Sequence, residues 1–175
     1  MNVRMFTVGP VQENCFLLWR EGSTKALIVD PGDEAPKLLG AIRELGLEVE
    51  AILVTHCHFD HIGAVAPVAQ ATGAPVYISE IEAPVLADVM RWTPPGFGPF
   101  ESYQAEHLLK GGEKLELAGF EIDVLFTPGH SPVASPTPCR TSRQSSLETS
   151  SSSPPWGVPT YLAAIGAPCC PRSAR

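Results

Sequence analysis

Six residues, His56-Cys57-His58-Phe59-Asp60-His61, follow without a break on an apolar run, Glu50 to Thr55. That junction constrains the fold more than any other stretch of the chain. A short apolar run bounded by polar residues reads as a buried strand, and such strands belong to sheets covered by other layers. Three imidazoles and a carboxylate within the next six positions make a dense set of metal ligands. Imidazole suits zinc, iron and similar ions, and the Asp oxygen adds a harder donor. In an extended turn alternate side chains point the same way, so His56 and His58 can reach one ion. Asp60 and His61 fall on the next turn and can face a neighbouring ion. Cys57 points away between its neighbours and is a spacer.

The flanking sequence supplies alternating strands and helices. Asn14 to Trp19 and Lys25 to Val29 read as strands joined by the hairpin connection Glu21-Gly22-Ser23-Thr24. Asp33 is a candidate helix cap, and Leu38, Leu39, Ile42 and Leu45 recur at helical spacing before Gly46. Ile62 to Thr72 and Glu80 to Met90 read as helices, the second interrupted by Pro84. Ala74 to Ile78, Glu113 to Leu117 and Glu121 to Phe126 read as strands, and Arg91 to Gln104 as a surface excursion. The alternation predicts a layered α/β fold with a mixed sheet. A second strand ends in Thr127-Pro128-Gly129-His130, a tight turn that presents His130, and loops at the carboxyl ends of strands are where α/β sheets hold ligands. Beside the H-x-H-x-D-H run, His130 becomes a further candidate ligand. His107, in a polar stretch, reads as solvated. Asp30, at a strand end, is placed to brace the ligand loop.

Composition divides the chain near Ser131. Residues 1 to 130 hold all five histidines, 8 Lys+Arg and 18 Asp+Glu; residues 131 to 175 hold no His, no Asp, one Glu and four Arg. The second segment also carries ten serines against three in the first, and 8 of the 18 prolines. Such a segment has little apolar surface to offset its ordering entropy, so the expected organisation is an ordered domain over 1–132 and a Ser/Pro-rich tail over 133–175. A net charge of -7 argues against a nucleic-acid partner. No apolar run approaches the roughly 20 residues of a membrane span, and no signal-peptide pattern opens the chain, so the expected setting is the cytoplasm.

The string THCHFDHIGA, with Val-Asp-Pro-Gly upstream and Thr-Pro-Gly-His-Ser-Pro downstream, resembles the metallo-β-lactamase superfamily. The opening Val8-Gly9-Pro10-Val11-Gln12-Glu13-Asn14-Cys15 is similar to its glyoxalase II-like branch, the hydroxyacylglutathione hydrolases. The resemblance covers residues 1 to about 132 and implies an αββα sandwich with a metal pair at one sheet edge, of which this chain holds the N-terminal half to two-thirds. By motif match, His56, His58 and His130 would bind the first metal, and Asp60 and His61 the second. The ions implied are Zn2+, with Fe or Mn as alternatives. The family also uses a bridging Asp in a Gly-Asp turn and a last His, whereas the last Asp here is Asp123 and the last His is His130.

The genetic code suggests where those residues went. Pairing the third base of each codon with the first two of the next, from Pro132 onward, permits G-S-V-T-Y, a family-like continuation. Gln144 to Thr149 permits V-F-S-G-D, the Gly-Asp turn. Two re-pairings are forced: Trp156 with Gly157 gives Gly, and Cys169 with Cys170 gives Leu. The tail is therefore expected to be a frameshifted reading.

The chemistry implied by the resemblance is hydrolysis. A zinc-class ion lowers the pKa of bound water to about 7, and the resulting hydroxide would attack a small-molecule thioester or ester such as an acylglutathione, with Asp60 positioning the nucleophile and moving a proton. Two other readings stand beside it: a mononuclear iron oxygenase acting on persulfides, and a non-catalytic metal-binding remnant. Without the second half of the sandwich, exposed apolar faces and a sheet edge predict weak stability.

Overall fold

The computed structural model describes residues 1–125 and the strand Ala163–Gly166. Six strands form one mixed sheet in the order β1-β2-β3-β4-β5-β6: Asn2–Val8, Glu13–Trp19, Lys25–Val29, Glu48–Leu53, Val76–Ser79 and His107–Leu109. The first three are antiparallel neighbours, while β3, β4, β5 and β6 run parallel. Parallel neighbours need crossovers. Here α1 (Ala35–Glu44) connects β3 to β4, and α2 (Phe59–Ile62) with α3 (Val65–Thr72) connects β4 to β5. A second sheet, β7 (Lys114–Leu117), β8 (Phe120–Val124) and β9 (Ala163–Gly166), pairs antiparallel throughout.

Strand alternation sorts the apolar residues into two cores. Cys15, Leu17, Ala26, Ile28, Val49 and Ile52 face the helices, where Leu38, Ile42, Val65 and Val68 cover them. Leu18, Leu27, Ala51 and Leu53 face the other way and meet Phe120 and Ile122 of the second sheet. The layers are thus helix, sheet and sheet, an α/β arrangement matching three of the four layers expected. The register between β3 and β4 shifts by one at Ala26/Leu27, where Ala26 pairs with Val49 and Leu27 with Ala51. The extra residue is Glu50. Its carboxylate accepts the Ala118 amide at 2.8 Å and pairs with Lys25 at 2.7 Å. The bulge therefore turns an acid toward the β7–β8 turn and ties the two sheets together.

Several local expectations shift. The N-terminal strand β1 and the short β6 were not anticipated from the sequence; β1 alternates Phe6 and Val8 inward with exposed Val3 and Met5 outward. Asp33 does not cap α1: the N-cap is Glu34, held left-handed at φ 54°, and Asp33 Oδ1 instead accepts the Glu34 amide at 2.6 Å. The helix expected over Glu80 to Met90 is two short ones, α4 (Ala83–Ala87) and α5 (Val89–Trp92), divided at Asp88, whose backbone is extended well away from helical values. The helix expected over Ile62 to Thr72 is α3 (Val65–Thr72), and Ile62 instead ends the single helical turn α2 that carries Asp60 and His61. Among the described residues no helix is long and apolar enough to cross a membrane.

Candidate metal centre

Because β3 and β4 are parallel neighbours, their carboxyl ends lie side by side. Asp30 follows the first and Thr55 the second. Asp30 is buried, with a left-handed backbone at φ 48° that few non-glycine residues adopt and that Asp tolerates better than most. Its Oδ1 accepts the Thr55 amide at 2.7 Å, its Oδ2 accepts the Thr55 hydroxyl at 2.6 Å, and His61 Nδ1 lies 3.1 Å from the same Oδ2. One carboxylate thus ties the end of β4 to helix α2.

These contacts decide which ring nitrogens carry protons. A carboxylate only accepts, so the Thr55 hydroxyl spends its single hydrogen on Asp30. The 3.1 Å contact between Thr55 Oγ1 and His56 Nδ1 then requires the imidazole to donate, which leaves Nε2 of a neutral His56 with its lone pair. By the same logic His61 donates from Nδ1 to Asp30, so that in its neutral form Nε2, 3.9 Å from Asp60 Oδ2, is the nitrogen with the lone pair. Fixing the outward nitrogen through a hydrogen bond on the inward one is how metal-binding histidines are commonly oriented.

The donor set fits an ion. His56 Nε2 and His58 Nδ1 lie 3.2 Å apart, close to the ~3.3 Å between neighbouring ligands of a tetrahedral ion with bonds of ~2.0–2.1 Å. Burial holds the His58 imidazole below its ordinary pKa, favouring the neutral form a metal needs. Burial opposes charge on His61 as well, but the Asp30 hydrogen bond and the charges of Asp30, Glu13 and Asp60 more than offset it, so its pKa is raised. Glu13, at the start of β2, is buried, and burial followed by the charges of Asp30 and Asp60 outweighs the help from His61 and pushes its carboxyl up to about 7. Its Oε2 is the buried side-chain atom left without a hydrogen-bond partner among the described residues. Three carboxylates converging on one imidazole make a site short of positive charge.

Glu13, Asp30 and His61 bring one donor atom each within 4.8 Å of one another. That inner cluster could itself hold a cation, but both Asp30 oxygens already accept protein hydrogens, which suits bracing better than ligation. Outside that cluster the donors stand as two pairs, His56 Nε2 with His58 Nδ1 at 3.2 Å and Asp60 Oδ2 with His61 Nε2 at 3.9 Å.

The structure thus brings His56, His58, Asp60 and His61 together. His130 lies outside the described residues. Cys57 is buried in the core, and its amide donates to the carboxylate of buried Glu82 at 3.1 Å, pinning the loop between the two histidines. His107 is exposed on β6, its ring stacked on Tyr77 at 4.2 Å. Sequence reasoning missed Glu13 and Glu82. Glu13 had a legible signal, since it shares the inward face of β2 with Cys15 and Leu17; for Glu82 no signal in the sequence stands out.

Two glycines let the loops close on each other. A Cβ on Gly32 would overlap the Asp60 carbonyl oxygen, and one on Gly63 would overlap the Gly32 carbonyl and the Phe100 ring.

A family model described as Metallo-beta-lactamase superfamily matches residues 8–138. A probable metallo-hydrolase of Bacillus subtilis, YqgX, is 40% identical over 137 residues, which are 75% of this chain and 63% of that protein. The hydroxyacylglutathione hydrolase GloC of Haemophilus influenzae is 33% identical over 135 residues, covering 75% and 63%. The chain therefore spans a little under two-thirds of the length of these relatives. Among solved structures, BLEG-1, a B3 metallo-beta-lactamase, superposes with a TM-score of 0.69 at 35% identity over 75% of this chain and 64% of its own. TTHA1623 in a di-iron-bound form gives a TM-score of 0.53 at 38% identity over 74% and 63%.

The close loop packing predicts that Gly32→Ala destabilises the protein by about 1–3 kcal/mol or more, through forced displacement of the 60–61 backbone. Gly40→Ala, in α1 with open space around it, should be neutral or stabilising. Denaturant unfolding of both variants checks the contrast, and equal effects would contradict the packing account.

Proposed function

The chain belongs to the metallo-beta-lactamase superfamily, and on that premise we propose that the loop from His56 to His61 is the metal centre of a hydrolase acting on a small-molecule thioester or ester, an acylglutathione being the favoured class. The observation that carries the reading is the hydrogen-bond relay Asp30–Thr55–His56, which leaves a lone pair on Nε2 beside His58 Nδ1. The GloC relative supports the thioester class. His56, His58 and His130 would hold a first ion, and Asp60 and His61 a second.

Zinc is the proposed ion; the di-iron form of TTHA1623 makes iron the competing occupant. A bound divalent ion supplies acidity to water and polarisation to a carbonyl. The chain's own part is orientation and proton handling. Asp30 fixes the ring planes of His56, through Thr55, and of His61 directly. Asp60 is half-buried, lines an open cleft, and keeps Oδ2 within 3.9 Å of His61 Nε2. That oxygen is the place where a proton from attacking water would be received and later returned to the leaving thiol.

We also propose that residues 133–175 are a frame-shifted reading of the family's continuation, supported by the forced re-pairings at Trp156-Gly157 and Cys169-Cys170. Sequencing the codons for His130 to Ala134 should show one missing base; an intact frame would overturn this part.

For the activity, a hydroxyacylglutathione is the first substrate to assay, with the full chain stripped by chelator and reloaded. Turnover should vanish on stripping and return with zinc or iron. Asp60→Asn should lower kcat by about 10²–10⁴-fold, as loss of a general acid–base group does. No turnover of any thioester or ester by the reloaded chain would overturn the hydrolase reading.

A further inference from the structure

Beside Asp60 runs a cleft of about 530 Å3 between the β1–β2 turn, the loop after β3, and residues 96–100. Its walls are chemically unequal. On one side stand three phenyl rings: Phe59 and Phe97 have centroids 4.4 Å apart, and Phe59 and Phe100 stack at 6.4 Å and 25°. Pro10 and Val11 face the same space, and Val11 is exposed. Among the described residues that line the cleft, the charged ones are the acids Asp33, Glu34 and Asp60. Glu34 is paired with Lys37 at 3.0 Å.

The aromatic wall is built rather than loose. The Phe100 amide donates to the Met90 sulfur at 3.3 Å, the Val89 amide to Ser102 Oγ at 3.2 Å, and Gln70 Nε2 to Glu101 Oε1 at 2.6 Å. Gly63 leaves room for the Phe100 ring against α2. Half-buried rings held this way present ready apolar area at little entropic cost.

We propose that this cleft is the subsite for the acyl arm of the substrate, that it takes an uncharged apolar group there, aromatic or branched aliphatic, and that it disfavours an acyl arm ending in a carboxylate. Its size falls in the usual range for small-molecule pockets, the rings supply the contact area, and Asp33, the acid neither paired with Lys37 nor assigned to a metal, repels an anion. The inference rests on the hydrolase reading for the location of the reacting bond. Recognition of the apolar arm does not need turnover, which lets the two fail separately.

The test is binding by calorimetry to the full chain, using two uncleavable thioethers: S-benzyl-N-acetylcysteamine, neutral, and its para-carboxybenzyl counterpart. The neutral compound should bind about tenfold or more tighter. Phe97→Ala should weaken it by about tenfold, on the order of the aromatic contact it removes, and Asp33→Asn should narrow the gap between the two compounds. Val11→Asp places a new carboxylate at an exposed position, so it tests the same cleft without disturbing the core, and should also lose the neutral ligand. Equal binding of the two compounds, or neutral binding that survives both Phe97→Ala and Val11→Asp, would overturn the proposal. If the thioethers behave as expected while no thioester is hydrolysed, the subsite stands and the hydrolase reading falls.

Discussion

The carboxylate of Asp30 is the contact on which the rest of the centre depends. It accepts from the Thr55 amide, the Thr55 hydroxyl and His61 Nδ1, so one buried group joins the end of β3, the end of β4 and the turn of α2. Hydrogen bonds to a charged acceptor are worth about 1.5–3 kcal/mol each, and a buried carboxylate without them would be costly. The burial that makes Asp30 expensive alone makes it a strong organiser when its three donors are in place. Its left-handed backbone is held by the same contacts and by its amide bond to the Leu53 carbonyl at 3.0 Å.

The electrostatics follow from that geometry. Placing Asp30 and Glu13 against His61, with Asp60 on the far side of the ring, concentrates negative charge where little water reaches. Glu13 is driven toward its neutral form and His61 toward its charged form. Both shifts have one meaning: the site favours added positive charge. A proton meets that demand in part, and a divalent ion at the proposed ligands would meet it more fully. The helix-side core beneath, with Cys15, Ile28 and Ile52 fully buried, gives the centre a rigid floor.

Much of this was legible in the sequence because it is local. The apolar run up to Thr55 and the histidines after it specify a strand end and a ligand loop with no knowledge of distant residues, and Asp30 at the end of its own apolar run could be read as a brace. The bulge at Glu50 could not be read, because it depends on how β3 and β4 pair. Glu13 could be read as an inward residue of β2 but not as part of the site, because only the pairing that brings β2 beside β3 carries its side chain to His61. The contact of Glu82 with Cys57 and the aromatic wall of Phe97 and Phe100 on Phe59 join residues 25, 38 and 41 positions apart, and periodicity carries no information about that. The helix expected over Glu80 to Met90, with Pro84 as its interruption, instead divides at Asp88, where the Val89 amide donates to Ser102 Oγ, a tertiary contact that the local pattern does not announce.

In the proposed centre the Asp30–Thr55 relay presents His56 as a metal ligand. It is tested most directly by calorimetric zinc titration of the full chain and of Thr55→Val, which keeps the shape and removes the hydroxyl. The relay predicts an affinity about 10–100-fold lower in the variant, the usual cost of losing a partner that orients a ligand. Equal affinity in the two proteins, or no zinc binding by the parent chain, would contradict the account.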